Sequence, residues 1–223
     1  MQEILEVITL YTLPVIFALT FTQAAQAMVA DRLGDTTARS MGRLTWNPSA
    51  HIDPLGTILL PLGMIALAKL SGGMVPPILI GWAKPIPTDY RMLRNPRRDM
   101  RWIAAAVPLT NLAMVLFWAV LFKLGAWNPD SYVAEPLQRM SLIGVVLNAS
   151  FAVLMCLPIL PFPGGMITLS LLPPRLAERY ARHQPWGMLI LVVLFLTGIL
   201  GFVMLPFIHA LLAVVFLLFG IAP

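Results

Sequence analysis

Apolar residues in this chain come in long runs, and short segments rich in arginine and proline separate them. The first run, about Ile4 to Ala30, exceeds the roughly 20 residues a helix needs to cross about 30 Å of hydrocarbon. It predicts a membrane-spanning helix, followed by the polar loop "DRLGDTTARSMGRLTWNPSAHIDPLGT". A second run, "ILLPLGMIALAKL", is short and broken by Pro61, and "SGGMVPPILIGW" after it is too short to span and full of helix breakers. Together they predict a helix with a re-entrant return, whose irregular backbone survives at membrane depth only inside protein or against a cavity. Further spans are expected at about Trp102 to Trp127 and Met140 to Phe162, and the region from Trp186 to Ile221 reads as two helices broken at Pro206. No run alternates like a lipid-facing barrel strand. The pattern predicts an all-α, polytopic helical bundle of about 5–6 transmembrane helices. It forms a single membrane domain over 1–223, with a core at about 4–165 and C-terminal helices at about 186–221.

Composition agrees: 59% of residues are hydrophobic and 11% charged, with mean hydropathy +0.83, outside the range of soluble domains. A net charge of +5 in a soluble chain would point to nucleic acid. Here lysine and arginine gather between the apolar runs, where they act as topology signals, and no nucleic-acid partner is expected. Placing the loops that start at Asp31, Lys84 and Leu172 in the cytoplasm puts the N-terminus outside, as expected of a multi-pass inner (plasma) membrane protein. The basic run Arg91, Arg94, Arg97, Arg98 and Arg101 reads as a positive-inside anchor or as a holder of anionic lipid headgroups. The single cysteine, Cys156, excludes an internal disulfide and is expected to fill the core.

Candidate chemistry begins where the first span spends polar residues. In "ALTFTQAAQAMVADRLGD", Thr22 and Gln26 share a helix face and Gln23 lies beside them. A signal peptide would explain "AQA", yet Glu3 and Glu6 with no basic residue before Arg32 oppose that reading. Helix packing through small and amide side chains is a second explanation. A conduit lined by Thr22, Gln23, Gln26 and Asn148 is a third, but it offers no intramembrane charge to act on ions. His51, His183 and His209 show no metal-ligand spacing. For His51 and Asp53 loop ordering is expected, for His183 a solvated interface position, and for His209 a hydrogen bond to backbone or to a neighbour.

The flanks of that stretch change its meaning. "FALTFTQAAQAMVADRLGDTTARSMGRLTWNPSAHIDPLGT", then "GWAKPIP", "LRNPRRDM", "AVPLTN" and "LPILPFPGG", in this order over about three quarters of the chain, resemble the compact prokaryotic form of the site-2 protease family. Members of that family are intramembrane zinc metalloproteases. The resemblance implies H-E-x-x-H on the first helix, with two histidines on one face as zinc ligands and the glutamate as base for the metal-bound water. It also implies a later N-x-x-P-x-x-P-x-D-G whose aspartate is the third ligand. This chain has Thr22, Gln23 and Gln26 at the first motif's positions, Met155 for the asparagine and Pro163 for the aspartate. Val107 replaces the glycine of A-G-P-x-x-N, while Pro108 and Asn111 remain.

Non-catalytic landmarks persist, among them Asp35, Arg43, Asn47, His51, Asp53, Lys84, Pro85 and Asp99. Gln for Glu is a change an experimenter would choose to disarm an enzyme, but Pro for Asp alters backbone as well as ligand, which favours natural divergence. The resemblance therefore implies a zinc-free, catalytically inactive homologue with no intact catalytic residue and no expected cofactor. Beyond the bilayer itself, its partners would be transmembrane segments of client proteins or an active paralogue. Thr22, Gln23 and Gln26 are then expected to hydrogen-bond one another in the vacated pocket. The competing expectation is an intramembrane zinc metalloprotease with non-standard ligands.

Overall fold

The computed structural model of the protein describes residues 2–60, 63 and 82–221, with side chains from Thr9 onward. The helix and re-entrant return expected between Ile58 and Trp82 lie almost wholly outside the described residues. Among the described residues the regular structure is helical: α1 (Gln2–Arg32), α2 (Thr37–Ser40), α3 (Pro96–Trp127), α4 (Ala134–Met155), α5 (Pro163–Leu171), α6 (Pro174–Ala181), α7 (Gly187–Leu196) and α8 (Ile199–Phe219). Among the described residues four segments are long and apolar enough to cross a membrane: Thr9–Arg32, Pro96–Trp127, Ala134–Met155 and Ile199–Phe219. The protein is a polytopic helical membrane protein.

The element boundaries follow local chemistry. α3 begins at Pro96 rather than near Trp102, because Pro96 occupies the first helical position and the Asp99 carboxylate reaches back to accept from the Asn95 backbone N–H at 2.8 Å. α4 stops at Met155 rather than running to Phe162, since Pro158 and Pro161 cannot continue a helix and the chain turns there. The break expected at Pro206 falls instead at Thr197–Gly198. There Gly198 takes φ 75°, a left-handed conformation that favours glycine, and the Thr197 hydroxyl donates to the Val193 and Leu194 carbonyls. Pro206 stays inside α8, as Pro14 and Pro108 stay inside α1 and α3. α7 has ten residues, about 15 Å of helix, and does not span.

Lipid tails are as apolar as leucine, so close packing has to hold these helices together. The turn at 128–133 brings α4 back against α3, and the indole of Trp118 lies directly over Gly144, where a Cβ would come within 2.3 Å of the ring. Val115, Ala119, Val145 and Ala149 close around it, with Phe17 and Phe21 of α1 on the cluster and Val215 of α8 completing it. α1 turns its small residues Ala18, Ala24, Ala27 and Ala30 inward. Leu109, Leu116 and Leu124 of α3 and Phe202, Phe207 and Leu217 of α8 are exposed, as lipid-facing side chains are. Trp102 and Trp127, exposed near the two ends of α3, stand about 37 Å apart along the axis, matching a pair of interfacial aromatic belts.

Candidate functional site

The polar stretch of α1 lies in its C-terminal half. Thr22 is 5% exposed, and its hydroxyl donates to the carbonyls of Ala18 at 3.1 Å and Leu19 at 3.0 Å. Gln23, one position and about 100° further round the helix, accepts the backbone N–H of Ile86 with Oε1 at 3.1 Å. Gln26 lies half-buried one turn beyond Thr22 on the same face. The three side chains do not bond one another, contrary to expectation. A threonine hydroxyl in a helix satisfies itself on its own preceding turn, and Gln23 turns to a different segment.

That segment, the extended stretch from Trp82 to Asp89, is strapped to the loop after α1 at several points. Arg43 is buried and grips it with both arms of its guanidinium, donating from Nη1 to the Pro85 carbonyl and from Nη2 to the Lys84 carbonyl, each at 2.6 Å. The Lys84 N–H donates to the His51 carbonyl at 2.9 Å, the Trp82 N–H to the Gly56 carbonyl at 3.2 Å, and the Thr57 hydroxyl to the Trp82 carbonyl at 2.7 Å. At the far end Asp35, fully buried, accepts the Asp89 N–H at 2.9 Å and the Thr37 N–H at 3.0 Å.

His51 is buried with Nε2 2.8 Å from the Thr45 carbonyl, and Asp53 caps the following π-helical turn by accepting from the Leu55 and Gly56 N–H groups. Both order the loop, as the sequence predicts. Burial pushes the His51 pKa down. The Thr45 hydrogen bond opposes that shift, and the nearby Arg43 charge adds to it.

The second motif sits at the start of α5. Pro163 is its first residue, half-buried, and offers a ring where the family has a carboxylate. Gly164 and Gly165 are packed against the backbone of the Cys156 to Leu160 turn, and Met155 ends α4, half-buried. Cys156 is exposed, not core filler, because the helix ends there and the chain turns outward. In α3, Val107 and Pro108 are buried and Asn111 donates from Nδ2 to the Val107 carbonyl at 3.2 Å. Asn148 is fully buried and donates to the Gly144 carbonyl at 2.8 Å.

α1 and α5 both pack on α3, which is the wall the two motif regions share. His183 lies exposed beside the Arg179 carbonyl, and His209, expected to bond to backbone or a neighbour, is exposed on α8.

Zinc prefers imidazole, thiolate and carboxylate. A hydroxyl already committed to two carbonyls, an amide oxygen on a backbone N–H, a second amide and a prolyl ring do not fit it. Among the described residues no three His, Cys, Asp or Glu side chains converge. Sequence reasoning placed Arg43 among the landmarks without a role and missed the Ile86 N–H altogether. A backbone donor has no side-chain signature, but an arginine between breakers with no nearby acid was a readable sign of a carbonyl clamp.

No protein-family model matches the chain, and no solved structure does. A curated bacterial relative does match. The protein named "Putative zinc metalloprotease YwhC" in Bacillus subtilis (strain 168) is 31% identical over 198 residues, which is 87% of this chain and 84% of that protein. The chain belongs to the site-2 protease-like family.

Proposed function

We propose that this protein is a zinc-free, catalytically inactive member of its family, and that it binds transmembrane helices of client proteins or a partner membrane protein. The observation that carries this reading is the bond from the Ile86 N–H to Gln23 Oε1. At the position where the resemblance implies a catalytic glutamate stands an amide, and it is engaged in holding a strap. An amide oxygen accepts a hydrogen bond from backbone but is too weakly basic to take a proton from water, an assistance worth about 10²- to 10⁴-fold in rate. Neutral side chains also suit a site with no cation, since an unpaired histidine–carboxylate set at membrane depth would be costly. Client binding is supported by the retained scaffold: the landmarks around the site still order its loop and strap. The proposed topology puts the N-terminus outside and the basic loops in the cytoplasm of a plasma-membrane protein.

A second reading has its own support, the word metalloprotease in the name of the Bacillus protein. Under it the chain cleaves peptide bonds in the membrane with zinc on unusual ligands. Metal analysis of the purified full chain separates the two. Less than stoichiometric zinc after purification without chelator, with no cleavage of a transmembrane reporter, supports the inactive reading; one tightly bound zinc lost together with a cleavage activity on chelation rejects it. Restoration sharpens the result. The combined variant Thr22→His, Gln23→Glu, Gln26→His and Pro163→Asp is expected to bind zinc if only the donors were lost.

A further inference from the structure

At the start of α3 an open cleft of about 640 Å³ is walled by Asn95, Arg97, Arg98 and Arg101 on one side and by Ser170 and Leu171, at the end of α5, on the other. Its chemistry is one-sided. Asp99, the one acid in this turn, is buried and spent on the Asn95 N–H. Among the described residues none of the three arginines makes an ion pair. Arg97 leans across the cleft to donate from Nε to the Ser170 carbonyl at 3.2 Å, which fixes its guanidinium there. Arg101 donates from Nε to the Arg98 carbonyl at 3.2 Å, so it too is held by its own helix rather than by an anion. The Asn95 side chain makes no capping bond, so the N–H groups of the first turn of this 32-residue helix add their partial positive charge to the same space.

Depth identifies the ligand. Trp102, one position beyond Arg101, is 53% exposed and marks the interfacial belt, while Leu171, 62% exposed, gives the cleft an apolar lip on its other wall. A cluster of guanidiniums at headgroup level beside an apolar lip fits a phosphate joined to a hydrocarbon tail. We infer that this cleft is a binding site for a phosphate group, supplied by the headgroup of an anionic phospholipid. The inference stands apart from the reading of the α1 site: an active and an inactive protein would hold the lipid equally.

The test uses the purified full chain in neutral detergent, offered equal amounts of phosphatidylglycerol and phosphatidylcholine, with retained lipid counted by native mass spectrometry. Wild type is expected to retain phosphatidylglycerol over phosphatidylcholine, and Arg98→Gln with Arg101→Gln to lose it by on the order of tenfold. Arg175→Gln with Arg182→Gln, the same loss of charge on another basic segment, is expected to leave retention unchanged. Arg98→Lys with Arg101→Lys keeps charge but not the planar fork, is milder to the fold, and is expected to fall between. An arm with inorganic phosphate decides the source: no displacement of the lipid identifies the headgroup, whereas displacement keeps the phosphate site but assigns it to a soluble phosphate. Equal retention of the two lipids, equal loss in the Arg175 and Arg182 variant, or full retention in both the glutamine and the lysine variants of Arg98 and Arg101 overturns the inference.

Discussion

The strapped loop after α1 and the polar face of α1 are linked through the strap, whose Ile86 N–H bonds Gln23, yet they use polar atoms in opposite ways. In the loop and at the start of α3, charge is buried and grips backbone: Arg43 holds two carbonyls, Asp35 two N–H groups and Asp99 one. Along α1, the positions where the family's chemistry would require charge carry none, and Thr22 and Gln23 are absorbed into ordinary backbone hydrogen bonding. Buried charge is retained when removing it would leave several backbone groups unsatisfied. The difference teaches that the bonds which order the loop and strap do not draw on the polar face of α1, apart from the one that Gln23 accepts.

Substitutions can break that comparison, and the largest effect is expected at Arg43. Arg43→Ala removes two charge-assisted hydrogen bonds and leaves the Lys84 and Pro85 carbonyls without donors. It should cost roughly 3 kcal/mol in thermal unfolding of the detergent-solubilised chain. Asp99→Ala, which uncaps the Asn95 N–H at the start of α3, should cost about 1–2 kcal/mol.

Gln23→Ala should cost only about 1 kcal/mol, with faster amide exchange at Ile86, while Gln23→Glu keeps an acceptor and leaves that amide protected. If Gln23→Ala proved as damaging as Arg43→Ala, the two regions would not differ and the comparison would fail.

A smaller effect is expected from pH. The folded pKa of His51 lies below its ordinary value of 6.5, so the unfolded chain takes up the proton first. Stability should be flat above about pH 6.5 and decline as pH falls from there towards the depressed folded value, an effect that His51→Gln abolishes. Smallest of all, Pro163→Ala should change stability by no more than about 0.5 kcal/mol, since alanine is also accepted at the first position of a helix.

Much of this was legible in the chain. Long apolar runs give membrane helices because backbone in hydrocarbon must satisfy itself, and α1, α3 and α4 appear where those runs are, within a turn or two at each end. The errors have local causes. A proline looked like the natural break in the last apolar region, but helices buried in lipid tolerate proline, and Gly198 broke it. Cys156 looked like core because it sits in an apolar run, but the helix ends one residue earlier. Threonine, glutamine and proline at the positions where the resemblance implies ligands were visible from residue types alone. The bond that occupies Gln23 was not, since its donor is a main-chain N–H 63 residues away.

What the sequence determined by itself is the class of molecule and the inventory of its chemistry: membrane helices, basic loops, and neutral residues where the resemblance calls for ligands. Only the tertiary structure decided what those neutral residues do, that Arg43 is a clamp, and that three arginines face one cleft beneath a tryptophan. Composition and periodicity report what each residue prefers. The pairing of groups far apart in the chain depends on which backbone atoms folding leaves within reach.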